Sequence, residues 1–314
     1  MVFSEIREEP KSWEEQAHQM ARRIRQRVLD FTIRTNGGYL SQACSAADIF
    51  AVLYTKVLKL GPSQAPAVPP PFPGVPGPNN PHSFTGALYN GAHEAHLDRF
   101  YLSATHYATV LYATLVETGR LAAEGLEMFN QDGSTVEMIG AEHSPGFEVT
   151  TGSLGQTISQ AAGAAMARRL RGESGRNWVF MSDGEFQIGQ TWEAFEVMSN
   201  YHLDNVAIYV DVNGQQCAGL TCDVMNIEPL DKRLEAFGAR VFVVNGHDLA
   251  ELVAPALLPP DGRPLVILAY TNPCFGVPLL ETRRPKLHYI RFKNETERQA
   301  YSVFLSNWQK AQAN

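Results

Sequence analysis

Four short runs limit what this chain can fold into: NWVFM (Asn177–Met181), NVAIYVDV (Asn205–Val212), ARVFVV (Ala239–Val244) and PLVILAY (Pro264–Tyr270). Each is rich in β-branched or aromatic residues and almost wholly apolar, and helical patterns separate them. A strand that is apolar on both faces must be covered on both, the condition of a parallel sheet held between helices. The expected fold class is therefore α/β, a doubly wound, mostly parallel sheet with helices on both faces. At 314 residues, 44% hydrophobic and 19% charged, the chain is long enough to bury such a core.

The remaining segments fit around that sheet. Trp13, Ala17, Met20, Ile24, Val28 and Phe31 recur at helical spacing. NGGYLSQACS then reads as a glycine-containing loop, and SAADIFAVLYTKVL as a second helix with Ser45 as N-cap. Gly61–Pro81 is so rich in Pro and Gly that neither helix nor strand is possible, so it reads as a surface excursion. DRFYLSATHYATVLYATLVETG resumes as strand, loop and helix, and TTGSLGQTISQAAGAAMARRL as a glycine-punctuated turn entering a small-residue helix. In the final helix, Ala300, Val303, Phe304, Asn307 and Trp308 share one stripe, expected to pack on the core. The organisation expected is one domain over 1–293, with an insertion at 61–81, and a helical tail over 294–314.

Charge and cysteine usage exclude several classes. A net charge of −7 argues against nucleic acid as a partner, because a phosphate-tracking surface needs excess Lys and Arg. The basic cluster ARRIRQR (Ala21–Arg27) reads as a solvated helix face. No stretch reaches the roughly 18 apolar residues of a membrane span, and the N-terminus MVFSEIREEPKSWEE has no apolar signal core. No membrane association is expected, and the cytoplasm is the default location. Cys44, Cys217, Cys222 and Cys274 contain no C-x-x-C pair and are expected to be buried free thiols.

The chemistry lies where the apolar runs stop. NWVFM ends at Ser182-Asp183-Gly184, a helix from about Thr191 to Tyr201 follows, and NVAIYVDV ends at Asn213-Gly214-Gln215. In doubly wound sheets ligands bind beyond the carboxyl ends of the strands. If these two strands are parallel neighbours, Asp183 and Asn213 face each other across one crevice. A carboxylate, an amide oxygen and a backbone carbonyl are hard oxygen ligands suited to Mg²⁺, and Gly184 leaves its N–H open to a diphosphate. An Asp-Gly pair alone is an ordinary turn; two such tips thirty residues apart are a more specific arrangement.

SDGEFQIGQTWEAFEVMSNYHLDNVAIYVDVNGQQCAG resembles the thiamine diphosphate and divalent-cation motif of transketolases, and TTGSLGQ resembles that family's second signature. DVMNIEPL and VNGHDLAEL are similar to later segments of the family, and the likeness runs from about Arg25 to His288. Related thiamine enzymes share the metal motif but not normally TTGSLGQ. The resemblance implies a thiamine diphosphate-binding (PP-domain) fold. It also implies that Asp183 and Asn213 bind Mg²⁺, or Ca²⁺ or Mn²⁺ in its place, through their side chains, and Gln215 through its carbonyl. Gly184 would touch the diphosphate and Gly152 and Leu154 the cofactor's rings, with Ser153, Glu185 and Asn213 also among the cofactor-binding residues. His106 of LSATH and His288 of KLHY would lie by the diphosphate and the substrate channel. His143 of AEHSPG matches a substrate-side histidine across a shortened loop. These three histidines are the candidates for polarising substrate hydroxyls and moving protons, with pKa values expected to suit neutral pH.

The chain also departs from the family. Where the family has SGHPGGSLSAAD, this chain has GGYLSQACSAAD, so Tyr39 stands for a substrate-contacting histidine, and Ser41 and Gln42 replace small glycines. LSKGH has become LSATH, and the first glycine of GDG is Ser182. The glutamate that activates the cofactor belongs, in this family, to a pyrimidine-binding domain for which no counterpart follows. The resemblance therefore implies the N-terminal, thiamine diphosphate-binding section of a split two-component transketolase. A C-terminal subunit would complete it in an α₂β₂ heterotetramer. It would transfer a two-carbon ketol unit from a ketose, such as a sugar phosphate, apulose 4-phosphate or a sulfo-ketose, to an aldose. The alternatives are a subunit resembling deoxyxylulose-phosphate synthase or a 2-oxoacid dehydrogenase, and a non-catalytic cofactor-binding assembly partner.

Overall fold

The structure is a computed structural model that describes residues 12–75, 77–80 and 85–313; most of the charged N-terminal stretch lies outside them. Its centre is a five-stranded sheet, all parallel, from β1 (Arg99–Leu102), β2 (Asn177–Ser182), β3 (Val206–Val212), β6 (Arg240–Asn245) and β7 (Leu265–Tyr270). The order is β1-β2-β3-β7-β6. Two further two-residue strands, β4 (Gln215–Gln216) and β5 (Gly219–Leu220), pair into a small ladder beyond the tip of β3.

The helices are α1 (Trp13–Thr35), α2 (Leu40–Val52), α3 (Ala108–Glu117), α4 (Ala123–Glu127), α5 (Thr157–Leu170), α6 (Gly189–Asn200), α7 (Thr221–Val224), α8 (Leu230–Ala236), α9 (Leu249–Ala256) and α10 (Glu295–Ala313). Three successive crossovers, β1 to β2 to β3 to β6, run the same way across the sheet; β6 to β7 runs back. Right-handed connections put α5, α6 and α8 on one face and α9 on the other, while α3, earlier in the long β1-to-β2 connection, packs on the α9 side. The core divides accordingly. Ile158, Phe195, Met198 and Leu234 of α5, α6 and α8 pack on Val179, Ile208 and Val266. Phe50, Leu111 and Leu252 of α2, α3 and α9 join Phe100, Phe180 and Ile267 on the opposite face.

Several local expectations are corrected. Helix α2 begins at Leu40, so LSQAC is helical rather than loop, and Ser45 lies inside the helix with its hydroxyl donated to Asp211 instead of capping. ARRIRQR is not a solvated face: Arg25 is 4% exposed and paired with Asp48, and Arg27 pairs with Glu117. β6 is an edge strand, and Val243 on it is exposed. The inward stripe of α10 is Tyr301, Phe304, Leu305 and Trp308, while Val303 faces out. Cys44 and Cys274 are buried free thiols, but Cys217 and Cys222 are exposed.

Within the insertion, Phe72 N–H donates to the Gly133 carbonyl (2.8 Å) and Ala122 N–H to the Ala67 carbonyl (2.7 Å), so the segment is fastened to the loop after α4 and to the α3–α4 turn. Among the described residues no helix is long and apolar enough to cross a membrane.

Candidate functional site

The register of β2 and β3 pairs Ser182 with Asp211, which sets Asp183 and Asn213 at adjacent tips. Asp183 is buried. Its Oδ2 accepts the Gly214 N–H and the Thr221 hydroxyl, both at 3.0 Å, and its Oδ1 accepts the Gly184 N–H at 2.8 Å. One carboxylate therefore fastens the tip of β2 to the loop after β3. Asn213 Oδ1 accepts the Gln215 N–H at 2.9 Å. Burial, then the neighbouring charge of Asp211, pushes the Asp183 carboxyl up to about 7. A buried carboxylate raised in this way lacks a counter-charge.

The donor chemistry fits an oxygen-seeking cation. Gln215 Oε1 is buried with no hydrogen-bond partner, an acceptor left over at the crevice. A Cβ on Gly184 would meet only Gln216 Cγ, at 3.8 Å, so the turn has open space in front of it. A cavity of about 390 Å³ opens here, lined by Asp183, Asn213, Gln215, Thr221, Tyr270 and Arg284 among others. Among the described residues no group of three or more His, Cys, Asp or Glu is placed to hold a metal. One carboxylate with neutral amide and carbonyl oxygens instead suits Mg²⁺ that keeps phosphate oxygens in its shell.

Beyond the tip of β1, three distant segments form an aromatic cluster. His106 lies in the turn after β1, and its ring centroid is 5.0 Å from that of His288. Tyr39, at the start of α2, lies 6.0 Å from His106 and 5.5 Å from His288. Gly38 and Ile290 exchange two backbone hydrogen bonds of 2.9 Å, which brings KLHYI against the GGYL turn. Ser41 Oγ donates to the Leu287 carbonyl (2.6 Å) and Gln42 Nε2 to the His288 carbonyl (3.2 Å). In this structure Ser41 and Gln42 thus hold the strap that carries His288. For His106 and His288 the expectation of pKa values suited to neutral pH is corrected. Burial, helped by His288 alongside, pulls His106 down to about 3, and burial lowers His288, so both rings are neutral at pH 7.

The TTGSLGQ turn is fastened to the tips of β1 and β2. Thr151 Oγ1 donates to the Ser103 carbonyl at the end of β1 (2.6 Å). Gly152 has φ +112°, and a Cβ there would stand 2.9 Å from Ile139 Cγ2. Ser153 is exposed and Leu154 half-buried. Glu185 points away from the crevice: its carboxylate is buried and accepts from Ser103 Oγ, Gly155 N–H (3.0 Å) and Ser182 N–H (3.0 Å). Its side chain is a brace between the tips of β1 and β2 and the TTGSLGQ turn. His143 is placed under the insertion, stacked on Phe72 at 4.3 Å, rather than in the His106–His288 cluster.

Several residues of the site escaped sequence reasoning. Asp211, Tyr107, Ser45 and Thr271 form a buried polar knot behind Asn213. The signal for Asp211 was present, as a carboxylate inside the otherwise apolar run VAIYVDV.

Residues 89–288 match the transketolase thiamine diphosphate binding domain. The chain belongs to the transketolase family. It is 33% identical over 287 residues to an uncharacterized transketolase family protein of Sinorhizobium fredii, covering 90% of this chain and 93% of that one. It is also 33% identical over 202 residues to an apulose-4-phosphate transketolase subunit of Actinobacillus succinogenes, covering 64% of this chain and 73% of that one. A transketolase from Pichia stipitis superposes with a TM-score of 0.72 at 20% identity, over 95% of this chain but 45% of its own, a likeness of fold. This transketolase-family chain therefore spans less than half the length of that solved enzyme.

Proposed function

We propose that this chain is the thiamine diphosphate-holding subunit of a two-component transketolase-type enzyme. The observation that carries the reading is the placing of Asp183 and Asn213 at neighbouring strand tips, with the Gln215 side-chain oxygen buried and unpartnered beside them. In this reading Asp183 and Asn213 hold Mg²⁺ through their side chains and Gln215 through its backbone carbonyl, while Gly184, with no side chain, leaves open space for the diphosphate. Gly152 and Leu154 form the floor for the cofactor's rings. Bound there, thiamine diphosphate supplies the electron sink for cleaving a ketose between C2 and C3. Neutral His106 and His288 can each donate one hydrogen bond and accept one, so they suit orienting hydroxyls without adding charge. Tyr39 narrows the channel beside them.

The activating glutamate comes, in this reading, from a pyrimidine-binding partner in an α₂β₂ assembly. The Actinobacillus succinogenes relative, itself named as one subunit of a transketolase and 73% covered by the match, supports that division. The sugar remains a ketose of unassigned identity, because the groups that would read its far end lie mostly on the partner. The test is calorimetry with thiamine diphosphate and Mg²⁺. The parent should bind in a Mg²⁺-dependent manner and Asp183→Ala should not; undiminished binding by Asp183→Ala overturns the metal assignment. Mixing with a pyrimidine-domain partner should then yield two-carbon transfer from a ketose. Cofactor binding without transfer from any ketose tested would favour a non-catalytic role.

A further inference from the structure

Asp211 ends β3 two residues before Asn213 and is fully buried. Four donors converge on it: Ser45 Oγ at 2.5 Å, Tyr107 OH at 2.7 Å, Asn213 Nδ2 at 3.0 Å, and Thr271 Oγ1. A buried carboxylate is costly, and apolar packing of the same volume is often no less stable. Its presence calls for a reason beyond stability.

That reason lies in the polarity of the neighbouring amide. The two branches of an Asn side chain have nearly the same shape, so packing alone cannot decide which one faces the crevice. A turn of 180° would present NH₂, which cannot ligate a cation. Here Nδ2 is committed to Asp211 and to Tyr107 OH (3.1 Å), while Oδ1 accepts the Gln215 N–H and keeps a second lone pair free. A carboxylate can only accept and a backbone N–H can only donate, so both ends impose the same orientation.

We propose that Asp211 is a positioning residue for the metal site, fixing the Asn213 amide with its oxygen toward the crevice. The proposal rests on the cofactor reading above and concerns a residue that does not itself touch cation or cofactor.

The test is Mg²⁺ titration at fixed thiamine diphosphate, followed by calorimetry, with thermal melting of the ligand-free protein to confirm folding. Asp211→Leu removes the acceptor and should weaken Mg²⁺ about 10–100-fold, the usual cost of losing a residue that orients a ligand. Asp211→Asn can turn its oxygen to Asn213 and its NH₂ to Thr271 Oγ1, and should stay within about twofold of the parent because the acceptor for Asn213 Nδ2 is kept. In an Asn213→Asp background an oxygen faces the crevice either way, so adding Asp211→Leu should cost no more than about twofold further. Asp211→Ala replaces Asp211→Leu if the latter does not fold, with the same expectations.

Parent-like Mg²⁺ affinity in a folded Asp211→Leu or Asp211→Ala overturns the proposal. So does an equal loss in Asp211→Asn, which would make the charge itself the cause, or an undiminished loss in the Asn213→Asp background. Failure of the parent to bind cofactor in a Mg²⁺-dependent manner would instead overturn the reading beneath it.

Discussion

Glu185→Ala separates a brace from a ligand. Sequence resemblance places Glu185 beside the cofactor, whereas the structure turns its carboxylate inward onto Ser103 Oγ, Gly155 N–H and Ser182 N–H. Removal leaves three buried donors without their acceptor, at about 1–3 kcal/mol each. Part of that loss is returned, because burial already raises the Glu185 carboxyl and the variant no longer bears the cost of enclosing it. The net expectation is about 3–5 kcal/mol, three such losses less the desolvation returned. At roughly 2 °C per kcal/mol for a chain of this size, the melting temperature should fall by about 6–10 °C. Urea denaturation of ligand-free protein measures the first quantity and thermal melting the second. Cofactor affinity, measured on the fraction that remains folded, should change much less. A variant that melts like the parent but no longer binds thiamine diphosphate would refute the brace and make the Glu185 side chain a ligand.

Three further outcomes are expected. The Asp183 carboxyl stands at about 7 in the fold against an ordinary 3.8, so the ligand-free fold binds the extra proton between those values and loses stability as pH rises through that window. Asp183→Asn should flatten this decline in melts from pH 4 to 8, and parallel curves for parent and variant would contradict it. Gly152→Ala forces a Cβ to 2.9 Å from Ile139 at φ +112° and should destabilise by about 1–3 kcal/mol, read by denaturant midpoint. A thiol reagent should label two cysteines, Cys217 and Cys222, in the native protein. Cys44 and Cys274, buried and pushed up to about 12, should react only on unfolding.

What could be read from the sequence follows from the range of the forces involved. Apolar runs announce strands because burial on both faces is a local requirement, so β2, β3, β6 and β7 and the tips carrying Asp183 and Asn213 were legible. Which run lies at the sheet edge depends on strand order, a long-range property, so exposed Val243 was not. Ser45 illustrates the limit well. As a serine before an apolar helical pattern it has the local signature of an N-cap, yet Asp211, 166 residues away, takes its hydroxyl and the helix begins five residues earlier. Arg25 is similar: composition places it on a wet face, and Asp48 draws it inside. Histidine acidity was equally hidden, since it depends on enclosure by Tyr39 and by the segment around residue 288.

The bridge between Gly38 and Ile290 has a consequence for the far end of the chain. The strap carrying His288 leads into α10, whose Arg298 Nε donates to the Ile33 carbonyl at the end of α1 (2.8 Å), and Arg283 pairs with Glu297. The strap is thus moored at both ends, to the start of α2 and to the last turn of α1. A cut before residue 295 removes no group from the crevice, yet it frees one mooring and gives His288 room to wander. Truncation there should therefore act as a loss of order at the channel wall, visible as faster amide exchange at Ile290 before any loss of fold.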